Sequence, residues 1–253
     1  MGEHIARATP TKKKSSNIFW NIVGVIGELL ITFAFIIGLF SVWQLYWTTY
    51  QVAGQVTQTI ASYEEEHQPS KRTQGETRTD APPEFTREVA SGEVYGLVHV
   101  PTWDWMKIPL AEGTTSYVLD QGWAGHYDMT TQPGGVGNFS VAGHRRTYGN
   151  NFRWIDRLTQ GDKVVVEVDD RYLVYSMVSS EIIDATDPTQ MRVVAPVIDD
   201  VSWSETPTER WMTMTTCHPE YGNWQRYIVH LKFESWTPKD TGVPAELVDE
   251  PTN

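Results

Sequence analysis

A single cysteine, Cys217, stands among 253 residues. One thiol makes no internal disulfide and lacks the companions of a thiolate metal site, so either chemistry or simple burial accounts for it. Positive charge is also scarce: the formal net charge is -12, and the excess of acid lies outside the first seventeen residues. An acidic chain repels phosphate backbones, which argues against nucleic acid as a partner. Gly134-Gly135-Val136-Gly137 lacks the lysine and following helix of a phosphate-binding loop. No close C-x-x-C or H-E-x-x-H spacing supports a zinc set drawn from His126, His144, Cys217 and His218. No cofactor is indicated, and nothing in the sequence repeats.

Charge is missing altogether from 29–42, inside a run, 18–46, that is apolar apart from Asn21, Glu28 and a few small polar residues. At about 1.5 Å rise per residue this run crosses a hydrocarbon core of about 30 Å, with Trp43, Tyr46 and Trp47 at the far interface. Glu28 is discordant, costing about 2.5–3.5 kcal/mol if charged near mid-bilayer, but its position toward the cytoplasmic half permits snorkelling or protonation. The run ends in bulky aromatics with no A-x-A pattern, which argues against a cleaved signal peptide. Lys12, Lys13 and Lys14 precede it and put the N-terminus in the cytoplasm. The expected organisation is a cytoplasmic tail at 1–17, a single-pass anchor at 18–46, an extracytoplasmic linker at 47–90, a folded domain at 91–237 and a C-terminal tail at 238–253. The linker is polar and rich in Glu and Pro, with a short surface helix expected at 52–66. Only 243–248 of the tail has the composition to lie on the domain surface.

The domain reads in period two. Strands are expected at 94–100, 106–110, 116–119, 138–142, 163–168, 171–178, 192–195, 211–216 and 226–234, with a hairpin turn at Asp169-Asp170. Only 152–158 has helical spacing, through Phe152, Ile155 and Leu158. Many short strands separated by Gly, Pro and Asp turns predict a mainly β fold, a closed or nearly closed barrel.

Three residues are placed for chemistry. Cys217 follows a strand in which Met212 and Met214 alternate with Thr213 and Thr215, at the point where the chain leaves the sheet; the alternative is an inert buried cysteine. His144 ends another β run and suits a proton carrier for a thiol that expels an amine, although a hydrogen-bonded loop histidine fits the same position. Arg226 opens the strand after Cys217, so a hairpin brings the two side by side; its guanidinium offers fixed donors to a developing oxyanion, or a surface ion pair. His218, next to the thiol, points to the opposite face of an extended chain and reads as a loop residue.

Taken together, Gly125-His126-Tyr127, the run from Pro133 to Arg145, the segment 152–158 with Gly161-Asp162, and Thr213-Met214-Thr215-Thr216-Cys217-His218-Pro219 with Arg226-Tyr227 resemble a bacterial sortase, most like class E of high-GC Gram-positive bacteria. The resemblance covers about 90–236 and departs from many relatives in Met214, where leucine is usual. It implies an eight-stranded sortase barrel and a membrane-anchored cysteine transpeptidase with Cys217, His144 and Arg226 as the catalytic set. It also implies secreted proteins with a C-terminal LAxTG-like or LPxTG-like signal as substrates, cut between Thr and Gly, and a cell-wall amine on a peptidoglycan precursor or wall peptide as acceptor. Tyr127 matches a position linked to the LAxTG preference, and Thr215 and Thr216 are expected beside the entering peptide. The competing readings are a thiol endopeptidase acting by hydrolysis only and an anchored, non-catalytic binding module.

Overall fold

The computed structural model of the protein describes residues 18–251, so the expected tail 1–17 lies outside the described residues. The chain divides into two units, one ending at Trp43 and one beginning at Gln44. One helix, α1 (Ile18–Glu66), runs from the first into the second. Up to Trp43 its large apolar side chains are exposed, and an 18-residue window reaches a mean hydropathy of 2.5. It is long and apolar enough to cross a membrane.

In the second unit α1 changes character. Val52, Val56, Ile60 and Tyr63, spaced four, four and three apart, form a narrow stripe of which Val52 and Tyr63 are buried. The helix therefore continues through what the sequence suggests is largely spacer. Beyond it the chain runs along the barrel: Gln74 bridges to Val243, Arg78 to Trp236, and Arg171 donates to the carbonyl of Pro83.

Eight strands close into a barrel in the order β1-β2-β3-β4-β7-β8-β6-β5. They are β1 (Val94–Val100), β2 (Met106–Glu112), β3 (Ala124–His126), β4 (Gly137–Ala142), β5 (Lys163–Val168), β6 (Arg171–Asp184), β7 (Arg210–His218) and β8 (Gln225–Pro238). β2 pairs with β3, and β4 with β7, in parallel; every other neighbouring pair is antiparallel. The interior is filled by Val98, Ile108, Leu110, Phe139, Val141, Val166, Leu173, Met212, Met214, Val229 and Leu231. Closure leaves no open edge, the usual hazard of an all-β domain.

Two expected strands are helical. Residues 116–119 form α2 (Ser116–Leu119), a single turn that buries Val118 and exposes Tyr117, an alternation that one helical turn satisfies as well as a strand. Residues 192–195 belong largely to a 3-10 segment, Pro188–Val194, which starts at a proline and is capped by the Asp187 side chain accepting from the Thr189 amide. That segment covers the outer face of β4, where the Asn138 side chain donates to the carbonyls of Val193 and Ala195. Conversely, β3 is only three residues long and contains a glycine, too short for period two to register. At 152–158 the helical expectation is met by a 3-10 turn, Ile155–Arg157. The segment 243–248 does reach the barrel: Val243 and Leu247 are buried against Val165, Tyr172 and Val174.

Candidate active site

The β7–β8 hairpin sets Cys217 directly opposite Arg226, as the spacing of the two predicts, with Thr216 opposite Tyr227 and Thr215 opposite Ile228. Cys217 is a free thiol, neither fully buried nor fully exposed. The Arg226 guanidinium donates to the carbonyls of Asn223 (2.7 Å) and Gln225 (2.9 Å), which holds it over the hairpin loop.

His144 arrives by a different route. β4 lies parallel to β7 with Ala142 opposite Thr215, and the pairing persists one residue further: the Gly143 amide donates to the Thr215 carbonyl (3.1 Å), and the Thr216 hydroxyl donates to the Gly143 carbonyl (2.6 Å). The histidine thus leaves the barrel beside the end of β7. A Cβ at Gly143 would fall 2.8–2.9 Å from the ring of Phe152, so only glycine lets the chain pass here. The Phe152 amide donates back to the His144 carbonyl, closing the loop.

Two groups hold the imidazole, and neither is evident from the sequence. Asp120, just after α2, places Oδ1 2.8 Å from Nε2 of His144. The ring of Tyr148 lies 5.3 Å from the imidazole, centre to centre, in a turn where Tyr148, Gly149 and Asn150 all have positive φ. Both supporting loops rest on α1. The side chain of Gln55 donates to that of Gln121 (2.8 Å), and a Cβ at Gly122 would lie 2.9 Å from Val56 and 3.0 Å from the Tyr148 carbonyl. No local pattern links residues 120 and 144, and although Gly149 and Asn150 are types that favour positive φ, nothing in the sequence marks Tyr148 for it.

The residues expected to face a peptide are placed differently from one another. Tyr127 is half-buried and its hydroxyl shares a 2.9 Å hydrogen bond with Thr215. Burial pushes its phenol up, against the opposing pull of the Thr215 bond and of the Arg226 charge. Thr215 and Thr216 are buried, and their hydroxyls serve Tyr127 and Gly143 respectively, so both link the strands that carry the site. His218 accepts from the Arg145 guanidinium through Nδ1 (2.9 Å); burial and that neighbouring charge push it below the ordinary histidine value, which keeps it neutral. His126 is fully buried with Nδ1 on Glu112, apart from the thiol's hydrogen-bonded surroundings. Among the described residues no three His, Cys, Asp or Glu side chains converge as metal ligands would.

A thiol, an imidazole and a guanidinium on three adjoining strand ends form a set suited to acyl transfer through a covalent intermediate. Known proteins resemble this chain in sequence and in fold. A Sortase domain family model matches residues 98–234. The chain is 35% identical over 229 residues to Sortase SrtE1 of Streptomyces coelicolor, an alignment covering 88% of this chain and 60% of that protein. It therefore spans less than two thirds of that relative's length. Among solved structures, the SrtA sortase from Actinomyces oris superposes with a TM-score of 0.64 at 43% identity, covering 70% of this chain and all of that one. Sortase E1 from Streptomyces coelicolor, with a tripeptide in its active site, superposes with a TM-score of 0.55 at 39% identity over 63% of this chain and 99% of its own. With the closed eight-stranded barrel and a family match over more than half its length, the chain belongs to the sortase family.

Proposed function

We propose that this chain is a membrane-anchored cysteine transpeptidase that cuts a C-terminal LAxTG-like sorting signal between Thr and Gly and transfers the threonyl group to a cell-wall amine. The observation that carries the reading is the pairing of Cys217 with Arg226 across the hairpin while Gly143, bonded to both Thr215 and Thr216, delivers His144 beside them.

In the reaction the Cys217 thiolate attacks the threonyl carbonyl carbon, forming a C–S bond, and Arg226 donates to the oxygen that becomes negative. Collapse breaks the C–N bond and leaves a thioester, while protonated His144 gives its proton to the departing glycine nitrogen. An incoming amine then attacks the thioester, loses its proton to His144 and expels the thiolate. Catalysis is proposed to rest on Cys217, His144 and Arg226. Tyr127 is the one residue of the expected peptide-contacting set that is not fully buried, and Thr215 and Thr216 support it and the backbone around it. The tripeptide in the active site of sortase E1 supports a peptide ligand. The apolar part of α1 supports an anchor, and Lys12–Lys14 support a cytoplasmic N-terminus with the barrel outside.

The full chain in detergent, mixed with an LAxTG-type peptide and triglycine, is expected to give a ligated product by mass spectrometry. Cys217→Ala is expected to retain less than a few per cent of that activity with its unfolding transition unchanged. Hydrolysis without ligation across amines and pH values identifies an endopeptidase instead. Equal or better use of an LPxTG peptide in direct competition removes the LAxTG preference and leaves the transpeptidase.

A further inference from the structure

The candidate general acid and base is held on one side by a carboxylate that none of the expected site residues supplies. Asp120 Oδ1 lies 2.8 Å from His144 Nε2, and the two side chains are 35% and 24% exposed, so the pair is neither sealed in the core nor free in water. His144 is the one hydrogen-bonding partner recorded for the Asp120 carboxylate among the described residues. The backbone of Asp120 is pinned independently, its amide donating to the carbonyls of Ser116 and Val118. Gln121 and Gly122, which follow, are clamped by Gln55 and Val56 of α1. The carboxylate therefore sits on a fixed stem, while Tyr148 limits the imidazole on another side.

We propose that Asp120 is a positioning residue for His144: its carboxylate accepts the Nε2–H, fixes the ring plane and tautomer, and so leaves Nδ1 to exchange protons with the reacting peptide. Which imidazole nitrogen carries the proton is set by the hydrogen bond the other makes, and a ring free to turn presents the wrong nitrogen for part of the time. The inference rests on the transpeptidase reading, in which His144 moves a proton twice per cycle. Asp120 does not touch the substrate. Its loss lowers the fraction of complexes ready for transfer, so kcat falls while peptide binding is kept.

The test uses the full chain in detergent with a quenched fluorescent LAxTG-type peptide and triglycine, comparing Asp120→Ala, Asp120→Asn and the parent. Asp120→Ala is expected to lower kcat on the order of ten-fold with KM within two-fold. Asp120→Asn, which keeps an oxygen to accept the Nε2–H, is expected to retain at least half the parental kcat. Thermal unfolding accompanies each measurement, and if Asp120→Ala is less stable than the parent, Asp120→Leu, closer in size to asparagine but without an acceptor, replaces it. A parental kcat in the variant lacking the acceptor overturns the inference, as does an Asn variant as slow as that one. Failure of the parent itself to ligate, with Cys217→Ala no different, counts against the transpeptidase reading, on which the inference depends.

Discussion

A missing side chain shapes the site as much as those present. Gly143 lets the chain leaving β4 pass against the face of Phe152, and its amide and carbonyl make two hydrogen bonds, to the Thr215 carbonyl and from the Thr216 hydroxyl, that tie the His144 loop to β7. A methyl group there would push the loop outward and put both bonds at risk. Gly143→Ala is therefore expected to destabilise the protein by about 1–3 kcal/mol, the usual range for overpacking. Activity is expected to fall further than stability explains, because the histidine moves away from the end of β7. Measuring kcat at temperatures where the variant is fully folded separates the two; parental kcat in the folded variant would mean that the close approach does not position His144. The three residues with candidate chemistry were legible because each ends or begins a strand whose alternation is strong. Asp120 and Tyr148 were not: they reach the imidazole through tertiary contact, one across 24 residues of chain and one from a turn with positive φ.

At the level of elements, period two found seven of the eight strands because most alternate cleanly between the core and a second environment. It failed where a different structure satisfied the same pattern, as in α2 and in the 3-10 segment that takes up most of 192–195, and where a strand is too short for period two to register, as in β3. The second half of α1 was legible only as a short surface helix, 52–66. Its binding surface was not, because the partners are glycines: Gly122 and Gly149 present bare backbone to Val52 and Val56. Val52→Asp places a charge in that contact, where Val52 is 9% exposed. It is expected to destabilise locally by about 1–3 kcal/mol. In hydrogen exchange, amides at 120–122 and 148–150 are expected to exchange faster while those of β6 and β8 keep their protection; uniform loss across the barrel would mean that this part of α1 supports the whole fold instead.

On the scale of the whole catalytic unit, a charge network, most of it buried, joins four distant stretches of sequence. His99 on β1 bonds to Glu167 on β5 and Glu250 beyond β8, both at 2.8 Å, while Lys239 pairs with Glu167 (2.7 Å) and Lys107 joins Glu250 (3.1 Å) to Glu64 of α1 (2.6 Å). Burial alone disfavours a charged imidazole, but the bonds to the two carboxylates outweigh it and raise His99 from 6.5 to about 9. Burial likewise works against Glu167 and Glu250, and their bonds to His99 and the lysines bring both below the ordinary carboxylate value. The stabilisation from His99 is complete below about pH 6.5 and is lost as pH rises through about 9, whereas that from the carboxylates is present above about pH 4.5 and lost on acidification. Unfolding temperature is thus expected to be highest between roughly pH 5 and 7 and to fall on both sides. Glu250→Gln is expected to cost about 3–5 kcal/mol near pH 6.5, as for other broken buried pairs, and to flatten the alkaline decline. An unchanged alkaline decline in this variant would place the pH sensitivity elsewhere.

The parallel pairing of β4 with β7 carries a consequence in time. These strands are adjacent in the barrel yet separated by the whole of β5 and β6 in the chain, and the hairpin that brings Arg226 to Cys217 is completed only by β8. If the chain crosses the membrane from its N-terminal side, as the proposed topology requires, the histidine emerges first, the thiol some seventy residues later and the guanidinium last. Long-range strand pairing of this kind forms late. On that topology the nascent chain stays inert during export, and its reactivity begins only when the barrel shuts and brings Cys217, His144 and Arg226 together.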